Sequence, residues 1–228
     1  VIHLAARVHV MSERSVNPLD EFRKVNVEGT RHLAECVVKA GVKRFVYVSS
    51  IGVNGAQATL PFTELNSPNP QNDYALSKWE AEQALHKLSA ETSLEVVIIR
   101  PPLVYGFGAP GNFAQMIKVL AKGIPLPLAS VKNLRSFIYV ENLVDALSLC
   151  ATHPKAAGQT YLVSDGEDIS TPDLLRKLSN AMGKRVKLLP CSPVFMRLAG
   201  RLFRKSEQLD KLMGSLQVDS SKIRCELG

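Results

Sequence analysis

Three side chains between residues 50 and 78 could together move a proton on an alcohol or a ketone. Tyr74 and Lys78 lie four residues apart where a helical pattern begins, so they occupy one face of the helix, one turn apart. An ammonium near a phenol favours the phenolate, and we expect Lys78 to lower the pKa of Tyr74 from its usual value of about 10. Ser50 could hold a substrate oxygen beside that phenol. The three residues predict an acid/base site.

The segments around these residues predict how they are positioned. The run from Arg44 to Ser50 is rich in β-branched and aromatic residues, which is typical of a buried parallel strand. A loop with three prolines follows between Pro61 and Gln71, and a helix is predicted over 74–92. A second buried strand is predicted over 94–100. This alternation predicts an α/β fold with a doubly wound parallel sheet.

The composition narrows the class of protein. The 228 residues are 46% hydrophobic, as expected for a globular chain, and no apolar run is long enough to span a membrane. The four cysteines are scattered without a C-x-x-C pair, so we expect no metal site and a reducing, cytoplasmic location. The net charge of +7 suits an anionic ligand. The basic residues are dispersed, and we expect no nucleic-acid partner.

A bare Y-x-x-x-K pair is a weak signal, but its setting is more specific. A strand that ends in paired serines, a loop and a tyrosine that opens a helix resemble the extended short-chain dehydrogenase/reductase family, in particular its nucleotide-sugar epimerases and dehydratases. The segments 26–30, 100–106 and 135–140 match further family motifs. The resemblance implies a Rossmann-like fold, a nucleotide-sugar substrate and NAD as cofactor, with NADP not excluded.

The resemblance also implies roles for individual residues. The expected catalytic residues are Ser50, Tyr74 and Lys78. The expected cofactor contacts are Leu4, Ala5, Ala6, Asn26, Ser49, Tyr74, Lys78, Pro101 and Val104. The expected substrate contacts are Ser50, Asn112 and Arg135. Each of four predictions has a structural alternative: tight strand packing for residues 4–6, an interhelical hydrogen bond for Asn26, a helix cap for Asn112 and a surface position for Arg135.

Departures from the family pattern bear on the reaction. Ile51 and Gly52 stand where the dehydratases carry an acidic pair, which argues against elimination of water. Asn54 and Leu103 differ from the residues of well-known galactose epimerases and leave the sugar open. We therefore expect 4-epimerisation of a UDP-hexose or a UDP-N-acetylhexosamine. The alternatives are a 4-keto-sugar reductase that uses NAD(P)H and a non-catalytic dinucleotide-binding or scaffold protein.

The organisation of the chain is also predicted. Residues 1–104 and 135–165 are expected to form a dinucleotide-binding region, and residues 105–134 and 166–228 a smaller substrate-binding region. No glycine-rich strand-turn-helix precedes Val1, so we expect a fragment that is inactive alone. The basic, amphipathic stretch 194–205 could contact a membrane surface or pack on its own domain. The resemblance implies a homodimer.

Overall fold

The structure is a computed structural model of the 228-residue chain. It describes residues 1–8, 15, 17–108, 112–192, 194–196, 209 and 212–228. The strands are β1 (Ile2–His3), β2 (Arg44–Val48), β3 (Glu95–Arg100), β4 (Leu103–Tyr105), β5 (Phe137–Tyr139) and β6 (Thr160–Leu162). The helices are α1 (Pro18–Arg23), α2 (Thr30–Lys39), α3 (Asp73–Glu91), α4 (Asn112–Ala121), α5 (Val140–Thr152), α6 (Thr171–Ala181) and α7 (Ser221–Leu227). A π-helical segment, Lys24–Gly29, joins α1 to α2, and short 3₁₀ turns occupy Ile51–Val53 and Pro154–Ala156.

Four strands form a parallel sheet in the order β1-β2-β3-β6. The register pairs Ile2 with Val46, Val46 with Val97, and Ile98 with Thr160. Because the strands are parallel, their carboxyl ends meet at one edge of the sheet. The predicted doubly wound parallel sheet is confirmed.

Alternation along the strands divides the core into two layers. On one face Phe45 and Tyr47 pack with Leu85 of α3 and with residues of α2. On the other face Val46 and Val97 pack with residues of α5 and α7. Both faces of the sheet are therefore covered, which explains why its strands are continuously apolar.

The helix that carries Tyr74 begins one residue before the predicted start. Asn72 caps it, since the Asn72 side-chain oxygen accepts a 2.9 Å hydrogen bond from the backbone N–H of Ala75. Helix α6, which contains Pro172 in its first turn, is capped in the same way by Ser170, whose hydroxyl accepts a hydrogen bond from the N–H of Asp173. Gly41 and Gly183 follow helix ends with positive φ angles of 69° and 64°, a backbone conformation that glycine adopts without steric cost.

Two local features interrupt the regular elements. The helical segment after Pro18 contains a π-helical turn that carries Asn26 and joins α1 to α2. Within the stretch 100–106, Leu103–Tyr105 forms a strand that pairs in parallel with Phe137–Tyr139. The two prolines do end β3, because they lack the N–H that the ladder requires, but the chain then joins a second, two-stranded sheet.

The two predicted regions are not separated at the end of the chain. Ile223 and Leu227 of α7 are buried in the same core layer as Tyr161 of β6. The last helix therefore packs with the predicted dinucleotide-binding region, and the division into two regions stays a prediction.

The stretch 194–205 lies mostly outside the described residues. Of its described part, Met196 is buried beside Leu120 and Leu175, whereas Val194 and Phe195 are exposed. Membrane contact and packing on the domain both stay predictions for this stretch. No helix in the described residues is long and apolar enough to span a membrane.

We expect Leu85→Ala to lower the free energy of unfolding by about 2–5 kcal/mol, because Leu85 is fully buried between α3 and the sheet. Urea denaturation measures this change. Gln83→Ala is the matched control, since Gln83 is exposed on the same helix and its replacement should change stability by less than about 0.5 kcal/mol. Equal effects of the two substitutions would contradict the packing of α3 described here.

Candidate active site

The structure brings the hydroxyls of Ser50 and Tyr74 together. Ser50 follows β2 in extended conformation, and its hydroxyl accepts a 3.1 Å hydrogen bond from the N–H of Gly52. Tyr74 is the second residue of α3. Burial raises the pKa of Tyr74, and a hydrogen bond with the Ser50 side chain offsets part of that increase. A substrate oxygen placed at this pair would contact both hydroxyls.

Lys78 lies one turn further along α3 and is only 1% exposed. Its ammonium lies 4.1 Å from the centroid of the Tyr47 ring, a cation–π contact. Burial lowers the pKa of Lys78 to about 7, and the negative charge of Glu82 opposes this decrease. The His3 ring stacks on the Tyr47 ring, with a distance of 5.7 Å between the ring centroids. Burial and the charge of Lys78 together lower the pKa of His3.

The expected effect of Lys78 on Tyr74 is wrong for this structure. The pKa of Tyr74 is raised by burial, and the Lys78 charge makes no contribution to that change. The reason is the order of titration: an amine with a pKa of about 7 is already neutral at the alkaline pH where a buried phenol ionises. Lys78 could favour the phenolate only if a further group restored its charge.

A buried polar network lies behind these residues. The carboxylate of Glu82 accepts hydrogen bonds from the Ser49 hydroxyl at 2.5 Å and from the Arg100 guanidinium at 3.0 and 2.5 Å. Arg100 also donates to the side-chain oxygen of Asn54 at 2.9 Å, and Asn54 donates to the carbonyl of Thr63 at 3.1 Å. Asn54 is therefore engaged in the interior rather than presented to a substrate.

This network was not predicted from the sequence, although the sequence contains a signal for it. Glu82 stands four residues after Lys78 and therefore shares its helix face. Arg100 ends a strand of apolar residues, where a charged side chain needs a partner. The sequence does not show that Glu82 and Arg100 pair, because they lie in separate elements, α3 and β3.

Asn26 connects two of the elements around the site by hydrogen bonds. Its amide nitrogen donates to the hydroxyl of Ser77 at 2.9 Å and to the carbonyl of Arg7 at 3.0 Å. Its amide oxygen accepts a 2.7 Å hydrogen bond from the N–H of Arg7. The structural alternative for Asn26 is thus observed: the side chain links α3 to the segment that follows β1, and its polar atoms are all engaged.

The other residues expected at the cofactor, except Val104, lie at the carboxyl ends of strands of the four-stranded sheet. Leu4 follows β1 and is 65% exposed, Ala5 is exposed and Ala6 is half-buried. Ser49 follows β2 and Pro101 follows β3, and both are buried. Val104, in β4, is half-buried. The open edge at residues 4–6 faces the carboxyl end of the sheet, as dinucleotide sites in this architecture do.

The hydrogen bonding of the Lys78 ammonium shows whether the residues at this edge of the sheet fit a dinucleotide. Within the described residues that ammonium makes no hydrogen bond, although only 1% of the residue is exposed. A buried cation without an acceptor is costly, and the hydroxyls of a ribose are suitable acceptors. The residues present therefore fit a dinucleotide whose ribose approaches Lys78.

The residues expected at the substrate are only partly described. Arg135 is half-buried, its guanidinium donates to the carbonyl of Gly214 at 3.2 Å, and burial lowers its pKa. Asn112 begins α4, but its side chain lies outside the described residues. An open cleft of about 770 Å³ lies between residues 57–62 and residues 213–215, next to the carbonyl that Arg135 contacts. Ser50, Tyr74 and Lys78 do not line this cleft.

Comparison with known proteins points to one family. Residues 1–164 match the sequence model of the NAD dependent epimerase/dehydratase family. The chain is 47% identical over 232 residues to a UDP-glucose 4-epimerase of Vibrio cholerae, an alignment that covers the whole chain and 70% of that protein. It is 27% identical over 222 residues to the N-acetyl-alpha-D-glucosaminyl-diphospho-ditrans,octacis-undecaprenol 4-epimerase of Escherichia coli O157:H7, covering 91% of the chain and 67% of that protein.

A solved structure supports the same assignment at the level of fold. The UDP-glucose 4-epimerase of Thermotoga maritima with UDP-glucose superimposes on the chain with a TM-score of 0.76 and 23% identity. The superposition covers all of this chain and 70% of that one. The resemblance inferred from the sequence motifs is confirmed by the family model and the Vibrio cholerae relative, and the solved structure confirms the fold. The chain belongs to the NAD dependent epimerase/dehydratase family.

Proposed function

We propose that the protein interconverts nucleotide sugars that differ at C4, as an NAD-dependent UDP-hexose or UDP-N-acetylhexosamine 4-epimerase. The observation that carries this proposal is the meeting of the Ser50 and Tyr74 hydroxyls one helical turn from the buried Lys78. The 47% identity to a UDP-glucose 4-epimerase supports the choice of reaction.

The side chains have separate roles in this proposal. Tyr74 takes the proton of the C4 hydroxyl as the carbon is oxidised, and returns a proton to the oxygen when the carbon is reduced on its other face. Ser50 holds the same oxygen throughout. NAD, when bound, supplies the acceptor and donor of hydride. Lys78 holds the ribose through its ammonium, and its positive charge there favours the phenolate of Tyr74.

The surroundings of the site favour epimerisation over elimination of water. Loss of water from a sugar requires an acid and a base near the departing hydroxyl. Ile51, directly after Ser50, is buried and apolar, and Gly52 has no side chain. The two positions after the catalytic serine therefore offer no carboxylate.

The proposal also assigns residues that contact NAD and residues that contact the nucleotide sugar. Residues 4–6 at the open edge of the sheet, with Ser49, Pro101 and Val104, are proposed to contact NAD. Arg135 is proposed to bind the diphosphate of the substrate, because a guanidinium matches the geometry of phosphate oxygens. Asn112 is proposed as a second substrate contact. The homodimer and the cytoplasmic location stay predictions.

The direct test is incubation of the protein, at its natural length and with NAD, with UDP-glucose, UDP-galactose and their N-acetylhexosamine counterparts. We expect 4-epimers to form without net consumption of the cofactor, because the hydride returns to the same sugar. Chromatography of the sugars and absorbance at the NADH band measure the two quantities. Stoichiometric oxidation of added NAD(P)H with a 4-keto sugar would instead identify a reductase.

We expect Tyr74→Phe to lower kcat for epimerisation at least ~100-fold, because the substitution removes the group that exchanges the proton. Binding of the nucleotide sugar should change little, since the ring remains. Tyr139→Phe is the matched control, because it removes a phenol outside the proposed site. Undiminished turnover of Tyr74→Phe would remove the phenol from the mechanism.

The burial of Lys78 predicts a pH dependence of stability in the cofactor-free protein. Between about pH 7, its pKa in the folded chain, and 10.5, the ordinary value, the unfolded chain holds a proton that the folded chain lacks. The free energy of unfolding should therefore rise with pH across this window relative to Lys78→Met, which has no such proton. Urea denaturation at pH 6.5 and 9 measures the difference.

Lys87→Met, at an exposed position of α3, is the control: its free energy of unfolding should change with pH in parallel with that of the wild type. A parallel curve for Lys78→Met would contradict the burial.

A further inference from the structure

The carboxylate of Glu82 is fully buried in α3, one turn after Lys78. A buried carboxylate needs hydrogen-bond partners, and Glu82 has three: one from Ser49 and two from Arg100. Both of its oxygens are engaged. The side chain is therefore held in one orientation, beside the helix face that carries Tyr74 and Lys78.

These hydrogen bonds join the elements that meet at the site. Ser49 directly follows β2 and immediately precedes Ser50. Arg100 is the last residue of β3 and immediately precedes Pro101. Glu82 thus ties α3 to the carboxyl ends of two neighbouring strands. A shift of any of the three elements would break at least one hydrogen bond of the network.

Stability alone does not require this ion pair. Burial of two charges costs about as much as their attraction returns, and well-packed apolar side chains of similar volume often serve as well or better. Glu82 lies one turn after Lys78, which is also almost fully buried and whose ammonium makes no hydrogen bond among the described residues. The negative charge of Glu82 is the one that opposes loss of the Lys78 proton.

The other groups that face Lys78 cannot replace that charge. Tyr47, on β2, offers its ring face. Tyr74, on α3, has a raised pKa and is neutral. His3, on β1, is driven towards its neutral form by burial and by Lys78 itself. Among the described residues around the ammonium, Glu82 therefore supplies the negative charge.

We propose that Glu82 is a positioning residue of the site: its carboxylate, held by Ser49 and Arg100, fixes α3 against the two strand ends and places a buried negative charge one helical turn from the Lys78 ammonium. The positional part follows from the hydrogen bonds described. The electrostatic part deepens the proposed function and rests on it, because a charged Lys78 is what the proposed mechanism uses.

The first test follows the titration of Lys78 in the cofactor-free protein and needs no activity. Lysine labelled with ¹³C at Cε is observed by NMR as the pH is raised, and Lys78→Met assigns the signal. In Glu82→Gln we expect the titration midpoint of Lys78 to fall by about one to two pH units, because a nearby charge is lost and Arg100 is left uncompensated. Glu80→Gln is the matched control: Glu80 lies on the same helix but pairs with Arg23 at 2.6 Å, and its loss should leave the midpoint unchanged.

A second variant keeps the test valid if Glu82→Gln folds poorly. Glu82→Gln/Arg100→Gln removes both charges and leaves amides that can hydrogen-bond to each other, which avoids an unpaired buried guanidinium. Its Lys78 midpoint should lie between those of the wild type and Glu82→Gln, because the uncompensated positive charge is gone. This order follows from charge and not from packing. A midpoint within about 0.3 units of the wild type in both variants would overturn the proposal.

The second test is the pH profile of kcat/KM for epimerisation. Because the proposed mechanism needs Lys78 protonated, activity should fall at high pH, and this alkaline limb should move to lower pH in the Glu82 variants but not in Glu80→Gln. A shifted NMR midpoint with an unshifted limb would contradict the electrostatic role in catalysis. If the wild type catalyses no epimerisation, the proposed function fails, while the NMR titration still decides whether Glu82 controls Lys78.

Discussion

An apolar sheet that receives ionisable side chains from a neighbouring helix must provide each of them with a partner. Helix α3 presents Tyr74, Lys78 and Glu82 to the sheet at successive turns of one face. Glu82 is satisfied by Ser49 and Arg100 from the two adjacent strand ends. Tyr74 meets Ser50. Of these three side chains, Lys78 makes no hydrogen bond within the described residues, and its ammonium contacts the ring of Tyr47 instead.

The parallel sheet makes this arrangement possible. Parallel strands place their carboxyl ends together, so the residues after β1, β2 and β3 form one edge although they are about fifty positions apart in the chain. Asn26 holds the segment after β1 to α3, and Glu82 holds the segments after β2 and β3 to the same helix. Helix α3 is thus fastened to three strand ends by hydrogen bonds. These bonds fix direction as well as distance, which apolar packing alone does not.

The structure also changes the account of how the phenol is activated. The simplest expectation from the Tyr–Lys spacing is a lysine that lowers the pKa of the tyrosine. In the cofactor-free chain burial acts on both groups, and it favours the neutral form of each. Acid/base chemistry at such a site depends on whatever restores the lysine charge. Glu82 contributes to this from the protein side, and under the proposed function the ribose hydroxyls of the dinucleotide contribute from the ligand side.

By itself the sequence determined the alternation of strands and helices, the start of α3 within one residue, and the identity of Ser50, Tyr74 and Lys78 as candidates, because hydrophobic period, capping residues and helical spacing are local properties. It did not determine the pairing of Leu103–Tyr105 with Phe137–Tyr139, since strand partners distant in the chain leave no local pattern. It identified Asn26 but not what Asn26 binds. The Glu82–Arg100 pair, the interior role of Asn54 and the lowered pKa of Lys78 were decided only by the tertiary structure. Burial and charge proximity arise from residues that folding brings together, and no single segment of the chain contains them.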